Sequence, residues 1–144
     1  MSDTRIDPTR PQFDAFKALP RDTPIEMLNL VAFRQDAAYP PEHPRRGGGL
    51  SGAEAYALYG AESHPVFARV GGAIIWRGRM ETMLIGPHGE AWDACFIARY
   101  PDGAAFLAMV TDPVYRAAVV HRQAAVRDSR LIRCAPSAGG AGFA

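Results

Sequence analysis

Cysteine is scarce in this chain of 144 residues, and its two thiols, Cys95 and Cys134, form no C-x-x-C pair. That excludes a redox motif or zinc ribbon, and because both fall in strand-like segments they read as buried structural thiols. Excess charge is lacking as well, with 16 Lys and Arg against 15 Asp and Glu and a formal net charge of +1. So balanced a chain carries no electrostatic footprint for nucleic acid or for a membrane surface, and neither is expected as a partner. No apolar run reaches the ~20 residues of a membrane span. Met1-Ser2-Asp3-Thr4-Arg5 is polar and opens no secretory signal, so the expected location is cytoplasmic. The histidines His43, His64, His88 and His121 show neither H-x-H nor H-E-x-x-H spacing, so no metal site is expected. No dinucleotide or phosphate-loop signature points to a cofactor, and none is expected.

What is present is the makeup of one domain with its own core, at 48% hydrophobic and 22% charged residues. Residues 1–22, with Pro8, Pro11 and Pro20 around Phe13 and Phe16, read as an N-terminal arm that docks on the body or on a neighbouring subunit. The nearly continuous apolar run Ile25 to Phe33 is a first strand covered on both faces. Gln35 to Gly49, with Pro40, Pro41, Pro44 and three successive glycines, reads as an unstructured loop long enough to be a lid or an interface segment. Ser51-Gly52-Ala53-Glu54 is a capping box that starts a helix, which Pro65 should kink or restart near Ser63 before it ends at Gly71-Gly72.

Ala73 to Ile85 alternates, with Ile74, Trp76, Met80 and Leu84 on one parity and Arg77, Arg79 and Glu81 on the other. This predicts a strand with one wetter face, joined through Gly86-Pro87-His88-Gly89 to a partner strand at Trp92 to Tyr100. Asp102 and Asp112-Pro113 each cap a short helix, the second running to about Ala125. A closing strand spans Ser129 to Cys134, the domain is bounded at 23–136, and residues 137–144 form a flexible tail rich in glycine and alanine. The order is βαββαβ.

Several of these segments resemble the domain of unknown function 1330 family, a dimeric α/β-barrel family with a ferredoxin-like protomer. The residues that carry the resemblance are Glu26 to Leu30, Gly71 to Trp76, Trp92-Asp93, Phe106 to Tyr115 and Val120-His121-Arg122. The resemblance implies an α+β fold, a ferredoxin-like βαββαβ sandwich whose four-stranded antiparallel sheet carries helices on one face. It also implies that the other face pairs with a second copy to form a dimeric α/β barrel, so a homodimer is expected. Related dimeric barrels include cofactor-independent oxygenases, isomerases and haem-handling enzymes, an analogy of fold and not of site.

Candidate site residues are polar or aromatic groups where apolar ones belong. Asn29 interrupts an apolar strand, where an unpaired buried amide costs on the order of 1–3 kcal/mol, so a backbone partner or a ligand must satisfy it. His121 lies in the last helix on the stripe of Val114 and Ala118, placed either to act as a general base in a cavity or to pack as a core histidine. His64 falls at the turn disturbed by Pro65, Trp76 is an aromatic for a pocket floor or for the core, and Asp93 is placed to pair with Arg77, Arg79 or a histidine. Arg45-Arg46-Gly47-Gly48-Gly49 lacks the lysine and spacing of a phosphate loop and reads as a flexible loop. Two functions stay open. One is a small-molecule-binding protein acting as a cofactor-independent enzyme on a small organic substrate, with His121 catalytic and Asn29, His64, Trp76 and Asp93 lining a pocket between sheet and helices. The other is a non-catalytic dimeric binding or assembly module.

Overall fold

A computed structural model describes residues 5–144. The elements run α1 (Arg10–Ala18), β1 (Ile25–Phe33), α2 (Gly52–Arg69), β2 (Ala73–Gly78), β3 (Ala94–Tyr100), α3 (Gly103–Val110), α4 (Pro113–Ala125) and β4 (Val126–Cys134). After α1 the order is βαββαβ, with α3 and α4 together forming the second crossover. The strands lie in the order β2-β3-β1-β4 and every neighbouring pair is antiparallel. This is the ferredoxin-like split βαβ arrangement.

Local chemistry accounts for the boundaries. The Ser51 hydroxyl accepts from the Glu54 amide while the Glu54 carboxylate accepts from the Ser51 amide, closing the expected capping box on α2. Gly52 opens that helix because backbone crowds it: a Cβ there would sit 2.0 Å from the Arg34 carbonyl oxygen. At the other end Gly71 takes φ +87°, and its amide and that of Gly72 donate to the Ala68 and Phe67 carbonyls, a Schellman ending. Pro65 does not restart the helix as expected. α2 continues through it to Arg69, because buried Val66 and partly buried Phe67 and Val70 hold the last turns against the core. Asp102 and Asp112 cap α3 and α4 as their sequences predict.

Three further expectations need correction. β2 stops at Gly78, and Leu84 and Ile85 are exposed in a loop, since β3 begins only at Ala94 and offers later residues no ladder. The Gln35–Gly49 segment has no helix or long strand yet is pinned. Asp36 bridges Ser51, the Ala38 amide donates to the Ala124 carbonyl, and Tyr39 is buried. The thiols are free but not buried: Cys95 is half-buried and Cys134 exposed.

Two apolar clusters make the core on the helix side of the sheet. One joins Ile25, Met27, Ala98 and Tyr100 to Val66, Phe106 and Met109; the other joins Val31 to Tyr39, Ala55 and Ala124 to Val126. Burying a side chain the size of Ile25 or Val31 is worth roughly 1.5–3 kcal/mol, so each cluster anchors one end of β1. Asn29 falls between them. The arm packs on its own chain: Phe16 lies against Phe106 and under the Arg133 guanidinium, and Ser129 and Arg122 donate to the Arg5 and Ile6 carbonyls. Among the described residues no single helix is long and apolar enough to cross a membrane.

Candidate functional site

The gap between the two clusters is a cavity of about 1080 Å³ between sheet and helices. Its floor is one row across the sheet, set by register: Arg77 pairs with Phe96, Phe96 with Asn29 and Asn29 with Leu131. All four line the cavity. Its roof comes from α2 and α4, which bring Tyr56, Tyr59 and Tyr115 over the row, and α1 closes one side with Phe13 and Phe16.

A β-bulge decides which residues of β2 reach this floor. Ile74 pairs with Ala98 and Trp76 with Ile97, so the register slips by one residue between them. Strict alternation would put Trp76 beside Ile74 and send Arg77 to the other face. The extra residue reverses both assignments, as bulges do. Trp76 joins the next row, with Ile97, Leu28 and Ile132, and is 50% exposed on the face turned away from the helices. Trp76 therefore does not floor the pocket, contrary to expectation.

The tyrosines are electrostatically tuned. Burial pushes the Tyr56, Tyr59 and Tyr115 hydroxyls up from their ordinary value, with Arg122 opposing the rise in each case. Tyr59 and Tyr115 share a hydrogen bond of 2.8 Å between their hydroxyls. All three are therefore neutral donors at physiological pH.

The remaining sequence candidates divide. Asn29 lines the cavity, and its amide donates to the Met27 carbonyl at 3.0 Å, so a backbone bond meets part of its demand. His64 lines the cavity from the exposed side of α2. Among the described residues Asp93 pairs with neither Arg77 nor Arg79 nor a histidine: it accepts from the Phe33 amide at 2.8 Å and so extends the β1 ladder. His121 is buried as expected, but its ring is absent from the cavity lining, and the expectation that it shares a cavity with Asn29 is not met. The α4 face that carries it turns toward α2 and the Gln35–Gly49 loop. There Nδ1 lies 2.6 Å from the Tyr39 hydroxyl and Nε2 2.9 Å from the Glu62 carboxylate. His43 stacks on Tyr39 and meets the His121 ring edge-on.

Sequence reasoning missed Arg77, Tyr56, Tyr59 and Tyr115. The i, i+3 spacing of Tyr56 and Tyr59 was a usable signal, whereas nothing local announced the bulge. The partners of His121 were equally hidden, since Tyr39 is 82 residues away. Among the described residues no group of three or more histidine, cysteine or acidic side chains is placed to hold a metal ion.

Residues 50–134 match a family model described as a domain of unknown function (DUF1330). The chain is similar to the RPA0582 protein of unknown function from Rhodopseudomonas palustris, with 56% identity and a TM-score of 0.86 over 94% of this chain and 98% of that one. The methylated form of RPA0582 gives 55% identity and a TM-score of 0.87 over 94% and 97% of the two chains. A third solved structure, SnoaB, a cofactor-independent oxygenase from Streptomyces nogalater, shares the fold alone. It has 14% identity and a TM-score of 0.51 over 81% of this chain and 96% of that one. None of the curated proteins matches the chain.

Proposed function

The chain belongs to the family described as a domain of unknown function (DUF1330), and from that premise, which sets a fold and names no reaction, we propose that it binds a small organic molecule in the sheet-helix cavity. The observation that carries this reading is the polar and aromatic row of Arg77, Phe96 and Asn29 in the gap between two otherwise apolar clusters. A core built for stability alone would close that gap with aliphatic side chains. A largely apolar enclosure with a few convergent polar groups is the ordinary form of a small-molecule site. The rings of Phe96, Tyr56 and Tyr59 suit a flat ligand, which they would contact face or edge on.

The fold likeness to a cofactor-independent oxygenase is compatible with turnover of the bound molecule. Proton carriers for such a step are the Tyr59–Tyr115 hydroxyl pair and His64, which line the cavity. His121 would act on it only through intervening groups.

A second copy of the chain is the partner we propose for the other face of the sheet. The row Trp76, Ile97, Leu28 and Ile132 is apolar from edge to edge, and Ile132 is 45% exposed. Sheets that present such a face cover it.

Saturation-transfer NMR with neutral bicyclic aromatics such as 2-naphthamide tests the binding reading. Transfer to the probe should be seen with the native protein and be lost when Phe96→Ala or Asn29→Leu alters the floor. Equal transfer in the native protein and both variants would overturn it.

A further inference from the structure

The cavity lining is electrically one-sided. Among the described residues Arg77, Arg116, Arg122, Arg130 and Arg133 contribute to it against a single carboxylate, Asp7. Three of the five are already engaged. Arg122 donates to the Ile6 carbonyl and the Ser129 hydroxyl, Arg130 meets Asp128 and Glu90, and Arg133 donates to the Phe16 and Pro20 carbonyls. Asp7 is taken by Gln123.

Arg77 stands apart. Among the described residues no carboxylate and no hydrogen-bond acceptor engages its guanidinium, although Glu26, on the opposite face of the same sheet, has drawn Arg99. The bulge turns Arg77 toward the helices, where its charge bears on the Tyr56 hydroxyl. Tyr56 packs its ring against Phe33 and Tyr59, with centroids at 5.1 and 5.4 Å, yet its hydroxyl has no acceptor among the described residues. Two donors thus converge on the cavity with nothing to receive them. Both donors can exchange water for an acceptor on a ligand, and a carboxylate satisfies a planar guanidinium and a hydroxyl at once.

We propose that the cavity's ligand is an organic carboxylate with a flat, unsaturated body, its anionic end held by Arg77 and the Tyr56 hydroxyl and its body lying on Phe96. This rests on the binding reading above and adds to it the class of ligand. The charge of Arg77 supplies selectivity over a neutral isostere, and Tyr56 supplies direction. Because Tyr56 stays protonated through the neutral range, it donates and does not repel the anion.

The test compares 2-naphthoate with its neutral isostere 2-naphthamide by NMR titration and calorimetry on the full chain at low and high salt. Naphthoate should bind at least tenfold more tightly at low salt, with the preference shrinking as salt rises. Arg77→Gln should abolish the preference and Arg77→Lys should keep part of it. Tyr56→Phe should weaken naphthoate several-fold while leaving naphthamide nearly unchanged. Arg77 is exposed and unpaired among the described residues, so these variants should fold as the native chain does, which circular dichroism verifies. Equal affinity for the two probes, or a preference that survives Arg77→Gln, overturns the carboxylate inference and leaves the binding reading standing. Failure of both probes to bind overturns both.

Discussion

Removing the His121 imidazole should release the Gln35–Gly49 loop from the helices. The ring joins the Tyr39 hydroxyl at 2.6 Å to the Glu62 carboxylate at 2.9 Å, and Tyr39 is only 3% exposed. In His121→Ala that hydroxyl loses its partner where water cannot replace it, a cost of about 1–3 kcal/mol for an unsatisfied buried group. Lost packing of the ring adds roughly 1 kcal/mol, so the variant should lose about 2–4 kcal/mol of a stability on the order of 5–15 kcal/mol. Tyr39→Phe keeps the packing and strands one ring nitrogen, which puts it near 1–2 kcal/mol. Glu62 is 44% exposed at its side chain and rehydrates when released, so Glu62→Gln should cost less than about 1 kcal/mol. Urea unfolding measures the three values. Hydrogen exchange at the Ala38 amide, which donates to the Ala124 carbonyl beside the cluster, reports the loop locally. If His121→Ala and Tyr39→Phe both unfold within about 0.5 kcal/mol of the native chain, or if Ala38 exchange is unchanged in both, the linkage is not what holds the loop.

Alkali offers a second check, because burial raises all five tyrosines, Tyr39, Tyr56, Tyr59, Tyr100 and Tyr115. With folded values above the unfolded value of about 10, their contribution is complete below that pH and falls above it by up to ~1.4 kcal/mol per pH unit per tyrosine. Tyrosinate absorbance should therefore appear together with loss of circular dichroism, and a smooth titration near pH 10 in the folded chain would contradict this. Gly52→Ala should destabilise by roughly 3 kcal/mol in urea unfolding, since its Cβ would meet the Arg34 and Ala125 carbonyl oxygens; a neutral result would mean the backbone there yields freely. Trp76→Glu should halve the light-scattering mass of the dimer proposed above, and an unchanged mass would refute an interface on that face.

Most of the fold was legible because its signals are local. The capping box at Ser51, the aspartates before α3 and α4 and the apolar run of β1 each act within a few residues. The reach of β2 was not, since alternation continues past Gly78 where the partner strand does not. At the site, Asn29 was legible as a polar residue in an apolar strand, and it lines the cavity. His121 was legible as a buried polar group, but which neighbours satisfy it depends on a loop anchored from far along the chain. Arg77 and Trp76 were assigned to the wrong faces because a period of two assumes an unbroken ladder.

That slip in β2 also ties the two sides of the sheet to a single choice of register. Deleting the single residue Ile75 would place Trp76 directly after Ile74 and leave it opposite Ile97, so Trp76 would stay outward and Arg77 inward on an unbroken ladder. If instead Ile75 stayed and took up the pairing with Ile97, Trp76 would turn inward and Arg77 outward, so the cavity floor would lose its cation and gain an indole while the outer face would lose its aromatic and gain a charge. Register, and not the length of the strand, thus sets ligand polarity and self-association together: a β2 shortened at Ile75 should keep both traits, and one whose pairing slips by a residue should change both.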